Sequence, residues 1–185
     1  MSNSAQQNSE SAKALPTNPA DPTVQRQNAS LRALHETALG LLDKIDKEEL
    51  LETIIERAAA LTGTQHCYIY LLEPDAQVMQ MRVGKGFFAE QLGRSVRKGE
   101  GMGGCVWQTE APVLVADYSN WSGRLDDPAL DGLRCIVGIP LKSDSQVQGV
   151  IGLAHVDPEK RFDQEDVIVL ERFAALTLLA LEKAT

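Results

Sequence analysis

The chain holds 185 residues, with 18 Lys and Arg against 26 Asp and Glu, a formal net charge of −8. That acidic balance argues against broad electrostatic binding to nucleic acid or to an anionic membrane, and no apolar run approaches the roughly 18 residues of a membrane-spanning helix. With 43% hydrophobic and 5% aromatic residues, the composition suits a globular protein that needs neither disulfide nor metal to hold a core.

Met1–Glu10 has neither the basic nor the apolar character of a secretory leader, so a cytoplasmic protein is expected. Residues 1–29 are rich in Ser, Asn, Gln, Ala and Pro, with cancelling charges, and read as a disordered tail. Ser30 is the expected N-cap of a first helix and the start of a single domain, residues 30–185. Leu31, Leu34, Ala38, Leu41 and Ile45 follow at spacings of 3, 4, 3 and 4, a narrow heptad stripe. Asp46, with Glu49 three residues on, opens a second helix that runs through Leu61 and closes at Gly63.

The period then changes from helix to strand. His66–Leu72 is rich in β-formers, Pro74-Asp75 marks a turn, and Val78 to Val83 suits an antiparallel second strand. A short strand around Val96 leads into Gly99-Glu-Gly-Met-Gly-Gly104 and a helical turn, Cys105 to Thr109. Pro112 to Ala116 is a brief apolar strand, and Asp117 to Gly132 a long polar loop. Leu133–Leu141 and Val147–Val156 form a hairpin across the Ser143–Gln146 turn. Asp163, with Asp166 three residues later, caps a final helix through Val167, Leu170, Ala174, Leu178 and Leu181. Two helices, five or six strands and a closing helix make an α+β order, not an alternating βαβ one.

Gly99-x-Gly101-x-x-Gly104 spells the dinucleotide-binding fingerprint, but that motif needs a crossover helix and a parallel strand. The stretch from Gly104 to Val113 is too short for the crossover. Arg94, Arg97 and Lys98 lie just upstream, and a helix N-terminus offers free backbone N–H groups, which together suit a carboxylate or phosphate. Cys67, Cys105 and Cys135 stand 38 and 30 residues apart, which fits no zinc, redox or disulfide spacing. His35, His66 and His155 are isolated in sequence and read as surface or core histidines.

Residues 50–75 (LLETIIERAAALTGTQHCYIYLLEPD), 99–121 (GEGMGGCVWQTEAPVLVADYSNW), 135–156 (CIVGIPLKSDSQVQGVIGLAHV) and 162–184 (FDQEDVIVLERFAALTLLALEKA) resemble, in order, the GAF domains of bacterial signalling proteins. The resemblance is greatest to GAF modules of sensor histidine kinases and diguanylate-cyclase-type proteins. It implies a central antiparallel sheet with the N- and C-terminal helices on one face and a ligand pocket under short helices and loops on the other. It also implies a non-enzymatic sensor that couples a small ligand, anionic if the basic run meets it, to an output domain or partner protein.

On that resemblance the ligand contacts are expected from Arg97, Gly103, Gly104 and Cys105 on the glycine-rich segment, and from Asp117, Tyr118, Trp121 and Arg124 on the long loop. Trp121 either stacks on a planar ligand or plugs a shallow pocket. No cofactor is assigned. A cysteine followed by histidine, as bilin attachment requires, does not occur, and the asparagine–lysine pair of cyclic-nucleotide-binding members is replaced at His155-Val156-Asp157. A homodimer is expected through Leu31, Leu34, Ala38, Leu41 and Ile45 of the first helix with Leu178 and Leu181 of the last. Two alternatives remain. One is an enzyme like the free methionine-R-sulfoxide reductases, working through Cys105, although the loop 117–132 lacks the further cysteine of that group. The other is a dimerisation or docking module without a ligand.

Overall fold

The computed structural model describes residues 22–42, 46–75 and 77–183. The chain divides into two units, Met1–Lys44 and Ile45–Thr185. In the first, helix α1 spans Pro22–Leu42. Residues 22–29, expected in a disordered tail, are therefore helical. Pro22 opens the helix, where a fixed φ and a missing N–H are tolerated, and nothing from Thr23 to Ala29 opposes its continuation. The remainder of the expected tail, residues 1–21, lies outside the described residues. Of the heptad stripe, Leu31 and Leu34 are exposed, while the side chains of Ala38 and Leu41 and all of Ile45 lie outside the described residues.

The second unit contains α2 (Lys47–Leu61), β1 (His66–Leu72), β2 (Met79–Lys85), β3 (Ser95–Val96), α3 (Gly101–Thr109), β4 (Val113–Val115), β5 (Cys135–Ser143), β6 (Gln146–His155) and α4 (Gln164–Lys183). Asp46 caps α2 by accepting the Glu48 N–H at 3.2 Å, and Gly63 ends it at φ +74. Asp163 and Asp166 cap α4 reciprocally: each carboxylate accepts the other's backbone N–H at 2.9 Å. The six strands form one sheet in the order β3-β2-β1-β6-β5-β4, with every neighbouring pair antiparallel. No strand pair among the described residues is parallel, so the glycine fingerprint has no βαβ unit to serve there.

Both faces of the sheet are covered, which is why its central strands read as nearly continuous apolar runs. Cys67, Ile69, Val137, Ile139, Ile151 and Leu153 face α2 and α4, where Leu51, Ile55, Leu170 and Ala174 complete one core. Tyr68, Tyr70, Ile136, Val150 and Ala154 face the other way, toward α3 and the connecting segments. Burial among apolar side chains pushes the Cys67 thiol up to about 12 and raises that of Cys135.

The helical period sorts the apolar side chains of α4 into two sets. Leu178 and Leu181 pack against the core beneath α4, on the flank of the inward face made by Leu170, Ala174 and Thr177. The large apolar side chains that α4 turns outward are Ile168, Leu176 and Leu179.

Candidate functional site

A cavity of about 30 Å³ lies under α3 and the loop 116–134, on the sheet face away from α2 and α4. Tyr68 and Tyr70 of β1, Met81 of β2, Met102 and Gly103 of α3 and Ile136 of β5 contribute to its wall. A short 3₁₀ segment, Gly86–Gln91, brings Phe88 and Gln91 to it, and the long loop brings Tyr118, Leu125, Leu130 and Leu133. At this volume it has room for about one water molecule.

The wall depends on a row of residues paired across four strands: Gly84 on β2, Tyr68 on β1, Gly152 on β6 and Gly138 on β5. Three glycines leave a trough in which the Tyr68 ring lies over β6, and its hydroxyl donates to the Val137 carbonyl of β5 at 3.1 Å. A Cβ at Gly138 would meet Val106 at 2.9 Å and Met102 at 3.1 Å, so that glycine sets how closely α3 approaches the sheet. Burial raises Tyr68, Tyr70 and Tyr118 above the ordinary phenol range, which keeps all three as neutral hydroxyls.

Arg94 is the charged side chain in the cavity wall. Its Nε donates to Gln91 Oε1 at 2.9 Å, and its Nη2 bonds both Gln91 and the Asp127 carboxylate. The guanidinium is thereby held between the 3₁₀ segment and the loop, part-buried beside the tyrosines. That bond holds the Asp127 carboxyl below its usual value, helped by the Ala129 N–H. Because the folded state is the weaker proton binder, this contribution is complete above about pH 3.9 and disappears as pH falls through the lower folded value. An acid titration of stability should therefore lose part of its slope below about pH 4 in Asp127→Asn; an unchanged slope would refute the pairing.

The expected site residues separate into three groups. Gly103 and Tyr118 line the cavity. Gly104, Trp121 and Arg124 support its walls. A Cβ at Gly104 would meet the Arg97 carbonyl at 2.1 Å. The Trp121 ring packs 5.9 Å from Tyr118, and Arg124 lies 5.8 Å above the Tyr118 ring while bonding Ser119 and Asp131. The remaining three do not reach the cavity. Arg97 projects outward, its side chain 76% exposed and 4.0 Å from Glu100. Asp117 turns into its own loop, accepting from Ser119 Oγ and Asn120 Nδ2, each at 2.6 Å, and these bonds lower its carboxyl pKa. Cys105 is part-exposed and outside the cavity wall.

The basic run thus supplies Arg94 where Arg97 was expected. Position 94 precedes the two-residue strand β3, and Met81 exchanges two backbone bonds with the Gly93-Arg94 turn, at 2.9 and 2.8 Å. Gly93, at φ +85, marks the turn, but the pairing with Met81 that aims Arg94 inward has no signature in composition. The glycine-rich segment also differs from expectation, because α3 begins at Gly101 and includes the glycines in its first turn. They are contact surfaces: a Cβ at Gly101 would meet Leu125, and one at Gly103 would meet Tyr70 and Val96.

No helix among the described residues is long and apolar enough to cross a membrane. No curated protein matches the chain. Among solved structures, the GAF domain of Acinetobacter phosphoenolpyruvate-protein phosphotransferase is 21% identical, with a TM-score of 0.66 over 86% of this chain and 94% of that one. The corresponding domain from Coxiella burnetii is 18% identical, with a TM-score of 0.68 over 83% and 93%. Free methionine-R-sulfoxide reductase from Neisseria meningitidis, solved with its substrate, is 19% identical, with a TM-score of 0.64 over 92% and 96%. These likenesses show the fold. The sequence itself matches the GAF domain family over residues 44–182, and the chain belongs to that family.

Proposed function

We propose that the chain is a non-enzymatic sensor domain whose ligand enters the Arg94 cavity. The observation that carries this reading is a single part-buried guanidinium in an otherwise uncharged, aromatic-rich wall. Such a wall suits a small planar or apolar molecule with one anionic group, which would compete with Asp127 for Arg94. Small-molecule pockets span roughly 300–1,000 Å³, at least ten times the volume present, so binding requires Gly86–Gln91 and the loop 116–134 to move outward. That requirement couples occupancy to a conformational change, as a sensor needs.

The output is a homodimer, with the exposed Ile168, Leu176 and Leu179 of α4 as its apolar seam, in a cytoplasmic signalling assembly with an output domain or partner protein. The reductase reading is weaker. Cys105 lies outside the cavity wall, and Cys67 and Cys135 are buried in the opposite layer, whereas a sulfenic acid needs a nearby thiol to resolve it.

Native mass spectrometry of the full chain purified from cells tests the reading. The expected spectrum is a dimer carrying an extra bound mass, which Arg94→Ala loses and Cys105→Ser keeps. Leu176→Asp with Leu179→Asp should give a monomer. A wild-type spectrum free of bound mass, together with no thermal shift from any anionic metabolite, would sink the sensor reading. Turnover of methionine sulfoxide that disappears in Cys105→Ser would install the enzyme in its place.

A further inference from the structure

A second concavity, of about 310 Å³, opens where β1 begins and β6 ends, and it shares no lining residue with the Arg94 cavity. Thr64, Gln65, His66, His155, Asp157 and Lys160 contribute to it. The two histidines, isolated in sequence, are brought together because His66 pairs with Ala154, the neighbour of His155, across adjacent strands.

Lys160, His66 and the largely buried His155 are the basic residues of its lining. His66 Nδ1 accepts the Phe87 N–H at 2.9 Å, so the proton of the neutral ring is on Nε2. The His155 imidazole stacks on Phe162 with ring centres 4.3 Å apart, which fixes its plane. Lys160 Nζ donates to the Gly63 carbonyl at 3.3 Å, holding the ammonium at the cleft, and makes no ion pair within 4.0 Å among the described residues. Asp157 is turned to its own backbone, accepting the Glu159 N–H at 2.9 Å, and Asp166 serves the α4 cap.

We propose that this cleft binds a tetrahedral oxyanion, free phosphate or the phosphate of a small ester, held by Lys160 Nζ and the N–H edges of His66 and His155. The site goes beyond the proposed sensor cavity and stands without it. Its electrostatics agree with the geometry. Burial first, and the Lys160 charge second, lower the pKa of both imidazoles; for His155 the His66 ring opposes protonation further, while Asp166 and Asp157 favour it. A bound dianion offsets the repulsion among the three basic groups, so anion binding and proton uptake by the histidines are linked. Affinity rises as pH falls through the histidine range.

Sulfate is the test probe, because its charge is constant across that range. The histidine side-chain NMR signals of the full chain are followed during sulfate titration at about pH 6 and about pH 8, against chloride at matched ionic strength. The expected result is a saturable shift of both His66 and His155, with affinity about tenfold tighter at the lower pH. Lys160→Ala, an exposed position whose loss leaves both cores intact, should remove it. Inorganic phosphate and adenosine 5′-monophosphate then identify the source: equal affinities support free phosphate, and tighter binding of the nucleotide supports an ester. Shifts that chloride reproduces, an absence of saturation at the lower pH, or full binding by Lys160→Ala would each overturn the proposal.

Discussion

Replacing Gly152 with alanine should lower stability by about 3 kcal/mol, a larger loss than its single methyl group suggests. Gly152 is in the central strand β6, directly paired with Tyr68 on one side and Gly138 on the other. A Cβ there would meet the Tyr68 ring and hydroxyl at 2.1 Å and the Val137 carbonyl at 2.4 Å. Two of these contacts are the two ends of one hydrogen bond, so the methyl group acts as a wedge between donor and acceptor. Tyr68 is fully buried, and a hydroxyl pushed off its acceptor there loses about 1–3 kcal/mol. Overpacking the trough adds about 1–3 kcal/mol. In a unit of this size the sum corresponds to a fall in Tm of about 10 °C. The decisive measurement is a double-mutant cycle by chemical denaturation. With Tyr68→Ala in the background the wedge meets no ring, so the two losses should be clearly less than additive. Additive losses would mean that Gly152 matters only to its own strand.

That trough shows where sequence reading stops. Elements with local causes are legible. The Asp46 and Asp163 caps, the His66–Leu72 strand and the β5–β6 hairpin all follow from residues that interact within a few positions of one another. The glycines of QGVIGLAH and CIVGIP carry a local signal too, since glycine inside a β-branched run marks a close approach. What approaches is set by register across strands far apart in the chain, and no local pattern encodes it. The same limit explains the exchange of Arg97 for Arg94. Both belong to one basic run, and only the pairing of the Gly93-Arg94 turn with Met81 decides which side chain points inward. It explains α3 as well. Glycines disfavour a helix intrinsically, yet Gly101, Gly103 and Gly104 are buried in its first turn, because contact with Tyr70, Val96 and the Arg97 backbone outweighs propensity. His66 and His155 looked solitary for the corresponding reason: 89 positions apart in sequence, they are brought together by one strand pairing.

The division of the sheet into two buried faces gives the protein two layers of different make-up. The α2–α4 side is filled by branched aliphatic side chains with few alternatives to their packing. The cavity side relies on aromatic rings, methionines and two segments without regular strand or α-helix, joined through Gln91, Arg94 and Asp127. A small molecule that separates those three groups would release the loop while leaving the helix-side core intact.

Phe88→Ala puts this arrangement to the test with a gain as well as a loss. The ring is buried, lines the cavity and lies 4.8 Å from Tyr68 and 5.6 Å from Phe87. Its removal should cost about 3–5 kcal/mol, the range for a buried phenylalanine whose surroundings relax only partly. If the neighbouring rings hold their places, the vacated volume merges with the existing cavity to make an apolar chamber that takes a small aromatic molecule. Indole should then raise the Tm of Phe88→Ala, by about 2.7 kcal/mol of stabilisation at a hundredfold excess over its Kd, and leave wild type unmoved. Indole-3-carboxylate should bind the variant more tightly than indole, because Arg94 stands in the chamber wall, and Arg94→Leu should cancel that preference. A destabilised Phe88→Ala that neither compound rescues would mean that the walls have closed over the gap and that this face of the sheet is a second core, not a receptor. Rescue by indole without any preference for the carboxylate would leave the chamber standing but remove Arg94 from the recognition of charge.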